Sequence, residues 1–234
     1  MDVDPTRRTE FTLTLAGSSV PAVLLRPPAS EPLPVALLLH AYNSSKERLA
    51  DTVGRALARN GIASLAIDLP LHGGRDDRLE PAARRNPLEL MRQWRLALAE
   101  AEDAVAWLVG QRWIARTRVA AVGYSLGSYV AVLTAARAPF VRALVIAAGG
   151  DLPATPWSAM LRSLGDPIAA VRALQGRPLL MVHGRSDRTI TAVQAQRLFD
   201  AAAEPKQLLW YDAGHVLPAA AAADAADWLT AAIG

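Results

Sequence analysis

Ser125 stands in the stretch Gly123-Tyr124-Ser125-Leu126-Gly127, between a short apolar run at 119–122 and a longer one rich in alanine and valine. A serine hydroxyl is a weak nucleophile near neutral pH. It becomes a useful one when a base takes its proton and a third group orients that base. The pattern G-x-S-x-G supplies a suitable setting, a tight strand-to-helix turn that leaves the serine exposed. Glycine is needed two residues to either side, because a side chain there would strike neighbouring backbone. Residues 119–122 provide the strand and 126–137 the helix that this motif requires.

Histidine is the natural base, and the chain has four: His40, His72, His183 and His215. His215 fits best. It lies in Asp212-Ala213-Gly214-His215-Val216, between the last expected strand and the last expected helix, 90 residues beyond Ser125. Asp187, 28 residues before His215, ends His183-Gly184-Arg185-Ser186-Asp187 just after the preceding strand and is the expected orienting acid. Its rivals are Asp151, beside an insertion, and Asp212, which belongs to a strand end. His40, His72 and His183 are expected to tie loops together by hydrogen bonds. They do not suggest a metal centre, since neither His-x-x-x-His nor carboxylate-rich spacing accompanies them. Cysteine is absent, which excludes disulfides, thiolate ligands and a thiol nucleophile.

The elements that must position these groups follow from hydrophobic periodicity. Residues 11–15 alternate, residues 20–25 are apolar and partly β-branched, and Gly17-Ser18-Ser19 between them predicts an antiparallel hairpin. Residues 35–39 form a continuous apolar run, as a strand covered on both faces requires. Strands at 62–67, 118–122, 143–147, 178–182 and 206–210 then alternate with helices at 45–59, 87–111, 126–137, 192–203 and 218–232. The expectation is an α/β fold, an eight-stranded, mostly parallel sheet with helices on both faces. Two insertions, at 70–86 and 149–177, follow strand ends and are expected to form pocket walls or a minimal lid. The second has room for short helices at 156–164 and 167–174, and offers Trp157, Met160 and Leu164 as substrate-binding candidates. Arg75 and Asp76, in the first, are expected to be solvated.

Together these stretches resemble the α/β-hydrolase family over nearly the whole chain. Gly-Tyr-Ser-Leu-Gly resembles its nucleophile elbow, the residues up to Asp187 its acid loop, and Ala213-Gly214-His215 its histidine loop, in the family's chain order Ser, Asp, His. His40-Ala41-Tyr42-Asn43-Ser44-Ser45 resembles the oxyanion loop, with Ala41 where the family usually has glycine. Asp68-Leu69-Pro70-Leu71-His72-Gly73-Gly74 resembles a loop often of the form Asp-x-x-Gly-His-Gly. The resemblance implies an antiparallel second strand, a site at the carboxyl ends of the strands and no cofactor. It also implies an oxyanion hole from the Tyr42 and Leu126 N–H groups, either of which would be worth about 3 kcal/mol in the transition state.

The totals bound the rest. At 234 residues, 52% hydrophobic and 20% charged, one soluble domain spanning 1–234 is expected. The formal charge is only +3, and basic residues sit beside acidic ones, so no nucleic-acid partner is expected. No apolar run approaches the ~20 residues of a membrane span, and the polar start MDVDPTRRTE lacks an export signal, so the expected location is the cytoplasm. The expected activity is a serine esterase acting on small-molecule carboxylic esters of small or medium acyl chain, given the short insertions. The same triad also serves thioesterases, amidases, peptidases, acyltransferases and perhydrolases. A non-catalytic binding protein would typically have lost a triad member.

Overall fold

The computed structural model describes residues 5–76 and 86–234; the side chains of Pro156 and Trp157 and residues 1–4 and 77–85 lie outside the described part. The chain opens with β1 (Arg7–Leu15) and β2 (Ser18–Arg26), joined by a two-residue turn in which both Ala16 and Gly17 have positive φ, 46° and 76°. That turn matches the twist of a hairpin. It is tighter than the sequence suggests, so Ser18 and Ser19 belong to β2, with Ser18 facing Leu15.

Six further strands complete one sheet: β3 (Leu33–Leu39), β4 (Ala63–Ile67), β5 (Ile114–Tyr124), β6 (Val141–Ala147), β7 (Leu179–Gly184) and β8 (Lys206–Tyr211). Their order is β1-β2-β4-β3-β5-β6-β7-β8. β2 runs antiparallel to both neighbours and the other pairings are parallel. β3 and β4 are buried at every position, as strands covered on both faces must be.

Helices cover the two faces separately. On one lie α3 (Pro87–Gly110), α4 (Leu126–Arg137), α6 (Pro167–Arg172) and α7 (Ala192–Ala201), which bury Trp94, Leu98, Val130, Val171 and Leu198 against the sheet. On the other lie α1 (Lys46–Leu49), α2 (Arg55–Arg59) and α8 (Ala219–Ile233), which bury Leu49, Leu57 and Leu229. The run 45–59, expected as one helix, is divided by a π-helical turn at Ala50–Gly54. Within the second insertion, α5 (Pro156–Leu164) has the boundaries expected of it.

The chain leaves β3 for β4 on one side and returns to β5 on the other. The carboxyl ends of β3 and β5 therefore border the crevice where open α/β sheets bind ligands. His40 directly follows β3, Ser125 follows β5, and Asp187 and His215 lie in the loops after β7 and β8. Among the described residues no helix is long and apolar enough to cross a membrane.

Candidate active site

Ser125 sits between β5 and α4 with φ 51° and ψ −111°, a backbone conformation that L-residues rarely adopt. Both flanking glycines are sterically required. A Cβ on Gly123 would lie 2.3 Å from the Gly127 carbonyl oxygen, and one on Gly127 would lie 2.0 Å from that of Leu39. The elbow is thus pressed onto β3, and this contact brings the serine beside the loop that begins at His40.

Three side chains from separate loops meet there. Ser125 Oγ lies 2.9 Å from His215 Nε2, and His215 Nδ1 lies 2.7 Å from Asp187 Oδ2. The carboxylate accepts at Oδ2, so the imidazole proton belongs on Nδ1 and Nε2 is free to accept the hydroxyl proton. Asp187 is itself fixed, since its Oδ1 accepts from the N–H groups of Thr189 and Ile190 at 2.8 and 3.1 Å. The rival acids are elsewhere: Asp151 pairs with Arg162 at 2.7 Å, and Asp212 is exposed.

The remaining histidines hold loops. His40, fully buried, accepts the Leu69 N–H at Nε2 (3.0 Å) and places its own proton on the Ala41 carbonyl (2.8 Å). Burial pushes its pKa from 6.5 down to about 4. His183 bonds the Ile190 carbonyl at 2.8 Å, and burial lowers its pKa too. His72 Nδ1 lies 2.7 Å from the Pro70 carbonyl oxygen, and its ring meets that of Tyr42 edge-on. Beneath these loops Asp68 gathers Lys46 Nζ and the N–H groups of Lys46 and Gly74 at 2.8–2.9 Å. Asn43 takes φ 54° in the loop after β3, a conformation that asparagine tolerates better than most residues. Leu126 is the first residue of α4, so its N–H has no carbonyl within that helix.

Two features were not expected from the sequence. Tyr124, the variable residue before the serine, donates its hydroxyl to the His215 carbonyl at 2.6 Å and accepts the Leu217 N–H at 2.9 Å. No sequence signal marks it, since the motif allows any residue there. Arg75 is buried, not solvated, and forks onto Glu100 of α3 at 2.8 and 2.9 Å. Partners 25 residues apart, one in a loop, leave no periodic trace.

A cavity of about 460 Å³ opens on Ser125 and His215 and runs between the α1–π-turn segment and α8. This corrects the expectation for the second insertion, because Met160 and Leu164 do not border it. Leu161 and Leu164 of α5 pack on the α3–α4 face of the sheet, and Arg162 ties α5 to Asp151 and Asp166 there. The cavity lies on the other face. The side chain of Trp157 lies outside the described residues. No group of three or more His, Asp or Glu placed to hold a metal ion occurs among the described residues.

Residues 20–227 match the dienelactone hydrolase family. The chain belongs to that family. It is thereby a carboxylic ester hydrolase of the α/β-hydrolase fold. Within the curated relatives, this dienelactone hydrolase family member is similar to Esterase YjfP of Escherichia coli, 28% identical over 200 residues that make up 74% of this chain and 76% of that one. Among solved structures, TT1662 of Thermus thermophilus is 25% identical and superposes with TM-score 0.78 over 97% of this chain and 98% of its own. A cold-adapted esterase from an Arctic intertidal metagenomic library shares the fold at 18% identity, TM-score 0.79, over 98% of this chain and 95% of its own.

Proposed function

We propose that this member of the dienelactone hydrolase family cleaves small-molecule carboxylic esters through Ser125, His215 and Asp187, without a cofactor. The observation that carries the reading is the unbroken hydrogen-bond chain from Ser125 Oγ through both ring nitrogens of His215 to Asp187, on a strained elbow.

Ser125 Oγ attacks the acyl carbon while its proton passes to His215 Nε2. The former carbonyl oxygen becomes an oxyanion, received by the N–H groups of Tyr42 and Leu126. Collapse breaks the bond to the alcohol oxygen, which takes the proton from Nε2 as it leaves. Water then gives a proton to His215 and attacks the acyl-enzyme; the acid departs and Ser125 recovers its proton. Asp187 accepts the Nδ1–H throughout and stabilises the imidazolium. Small to medium acyl groups suit the cavity, whose volume is at the lower end of the range for small-ligand sites.

A fluorophosphonate probe tests the reading. The wild type labels at neutral pH, whereas Ser125→Ala does not label and loses turnover by at least about 10³-fold, with its thermal unfolding little changed. A wild type that resists labelling would sink the proposal.

A further inference from the structure

The cavity beside Ser125 is lined largely by small and apolar side chains, with Asn43, Ser44, Arg48, Thr52 and Thr189 also on its wall. Val122, Val145 and Val182, from β5, β6 and β7, form its floor and are all buried on the α8 face of the sheet. Leu49 and Val53 stand on one side. On the other stand Ala221 and Ala225, one helical turn apart on α8 and both buried. Each ends at a methyl group, so any larger residue at either position would project into the space between the helices. The π-helical turn carries Val53 at this wall, and π-turns inside helices recur at functional sites.

The chemistry of the lining is one-sided. Among the described residues no carboxylate borders the cavity, and Arg48, exposed at its rim, is the one permanent charge. Of five large apolar side chains that are exposed among the described residues, two border the mouth: Tyr42, 65% exposed, and Val216, 73% exposed. They flank Ser125 from the oxyanion loop and the histidine loop. Exposed apolar side chains at such a mouth gain contact when an apolar ligand enters.

We propose that this space is the acyl subsite, that it takes the uncharged hydrocarbon chain of a medium-length carboxylic acid, and that Ala221, Ala225 and Val53 set the chain length. The inference rests on Ser125 being the nucleophile. A space floored by buried strand residues suits the acyl group, because that group stays attached to Ser125 through both chemical steps. The alcohol must escape past His215 to solvent before water can enter, and so needs an open path. A cationic chain has no acid here to pair with.

The test reads the ratio of kcat/KM for a nitrophenyl hexanoate over the acetate, with thermal unfolding confirming that each variant is folded. In the wild type the ratio exceeds one. Ala225→Leu fills the space and lowers the ratio by at least about tenfold, the discrimination expected for methylenes shut out of an apolar pocket. Val53→Ala widens it and moves the optimum to longer chains, so the proposal does not depend on one variant folding. Met160→Ala, on α5, whose Leu161 and Leu164 pack on the opposite face of the sheet, leaves the ratio unchanged. If the wild type labels at Ser125 and turns over esters while the wall variants leave the ratio where it was, or Met160→Ala shifts it instead, the acyl assignment is overturned and the serine mechanism stands. A wild type that neither labels nor hydrolyses overturns both.

Discussion

Tyr124 ties down the turn that carries His215. Its hydroxyl bonds the histidine's own carbonyl and the Leu217 N–H, so one side chain of the elbow holds both ends of the turn leading into α8. Tyr124→Phe removes that tie and leaves two backbone groups without their partner, at about 1–3 kcal/mol if they stay dry. The expected outcome is a fall in kcat of about tenfold with KM nearly constant, because the geometry between His215 and Ser125 loosens while Val53, Ala221 and Ala225 stay in place. Steady-state kinetics on one ester decides it. A variant that unfolds earlier yet keeps its kcat would assign the tyrosine to stability alone.

At the scale of elements, the site depends on how closely the start of α4 approaches the end of β3. Gly127 has no room for a methyl group, and the atoms it would strike are the backbone of Leu39 and His40, which cannot swing aside as a side chain can. Gly127→Ala must push α4 off the sheet edge, separating Leu126 from the loop that carries Tyr42. Overpacking of this kind costs about 1–3 kcal/mol or more. The variant should unfold at a temperature several degrees lower and hydrolyse esters at least about a hundredfold more slowly. Unchanged calorimetry and rate would show that the contact relaxes freely.

For the whole molecule, acid sensitivity follows from histidines buried in the neutral form. Burial holds His40 at about 4, against an ordinary 6.5, and shifts His183 in the same direction. A histidine depressed in the fold takes up its proton first in the unfolded chain. Stability is therefore complete above about pH 6.5 and declines as the pH falls towards 4, by up to about 3 kcal/mol from His40. Urea unfolding measured from pH 7 to 4.5 should show the midpoint falling through this window, with a shallower fall in His40→Asn. A midpoint independent of pH would contradict it.

The sequence by itself determined the alternation of strands and helices, the helix 126–137 to the residue, and the loops that hold Ser125, Asp187 and His215. These are local matters. Periodicity records which face of an element is buried, and a glycine-boxed serine records a turn too sharp for side chains. The π-turn inside 45–59 escaped because a one-residue bulge leaves the apolar spacing nearly intact. The burial of Arg75 escaped because its partner Glu100 lies on α3, and only the packing shows Asp187 beside His215 Nδ1 while Asp151 pairs with Arg162. The cavity wall was decided by tertiary structure alone. Ala221 and Ala225 read in sequence as an ordinary helix face, and α5 reads as a natural lid because it follows a strand end. Only packing assigns α5 to the α3–α4 face and leaves methyl-sized side chains opposite Val53, since empty space belongs to no residue and leaves no mark along the chain.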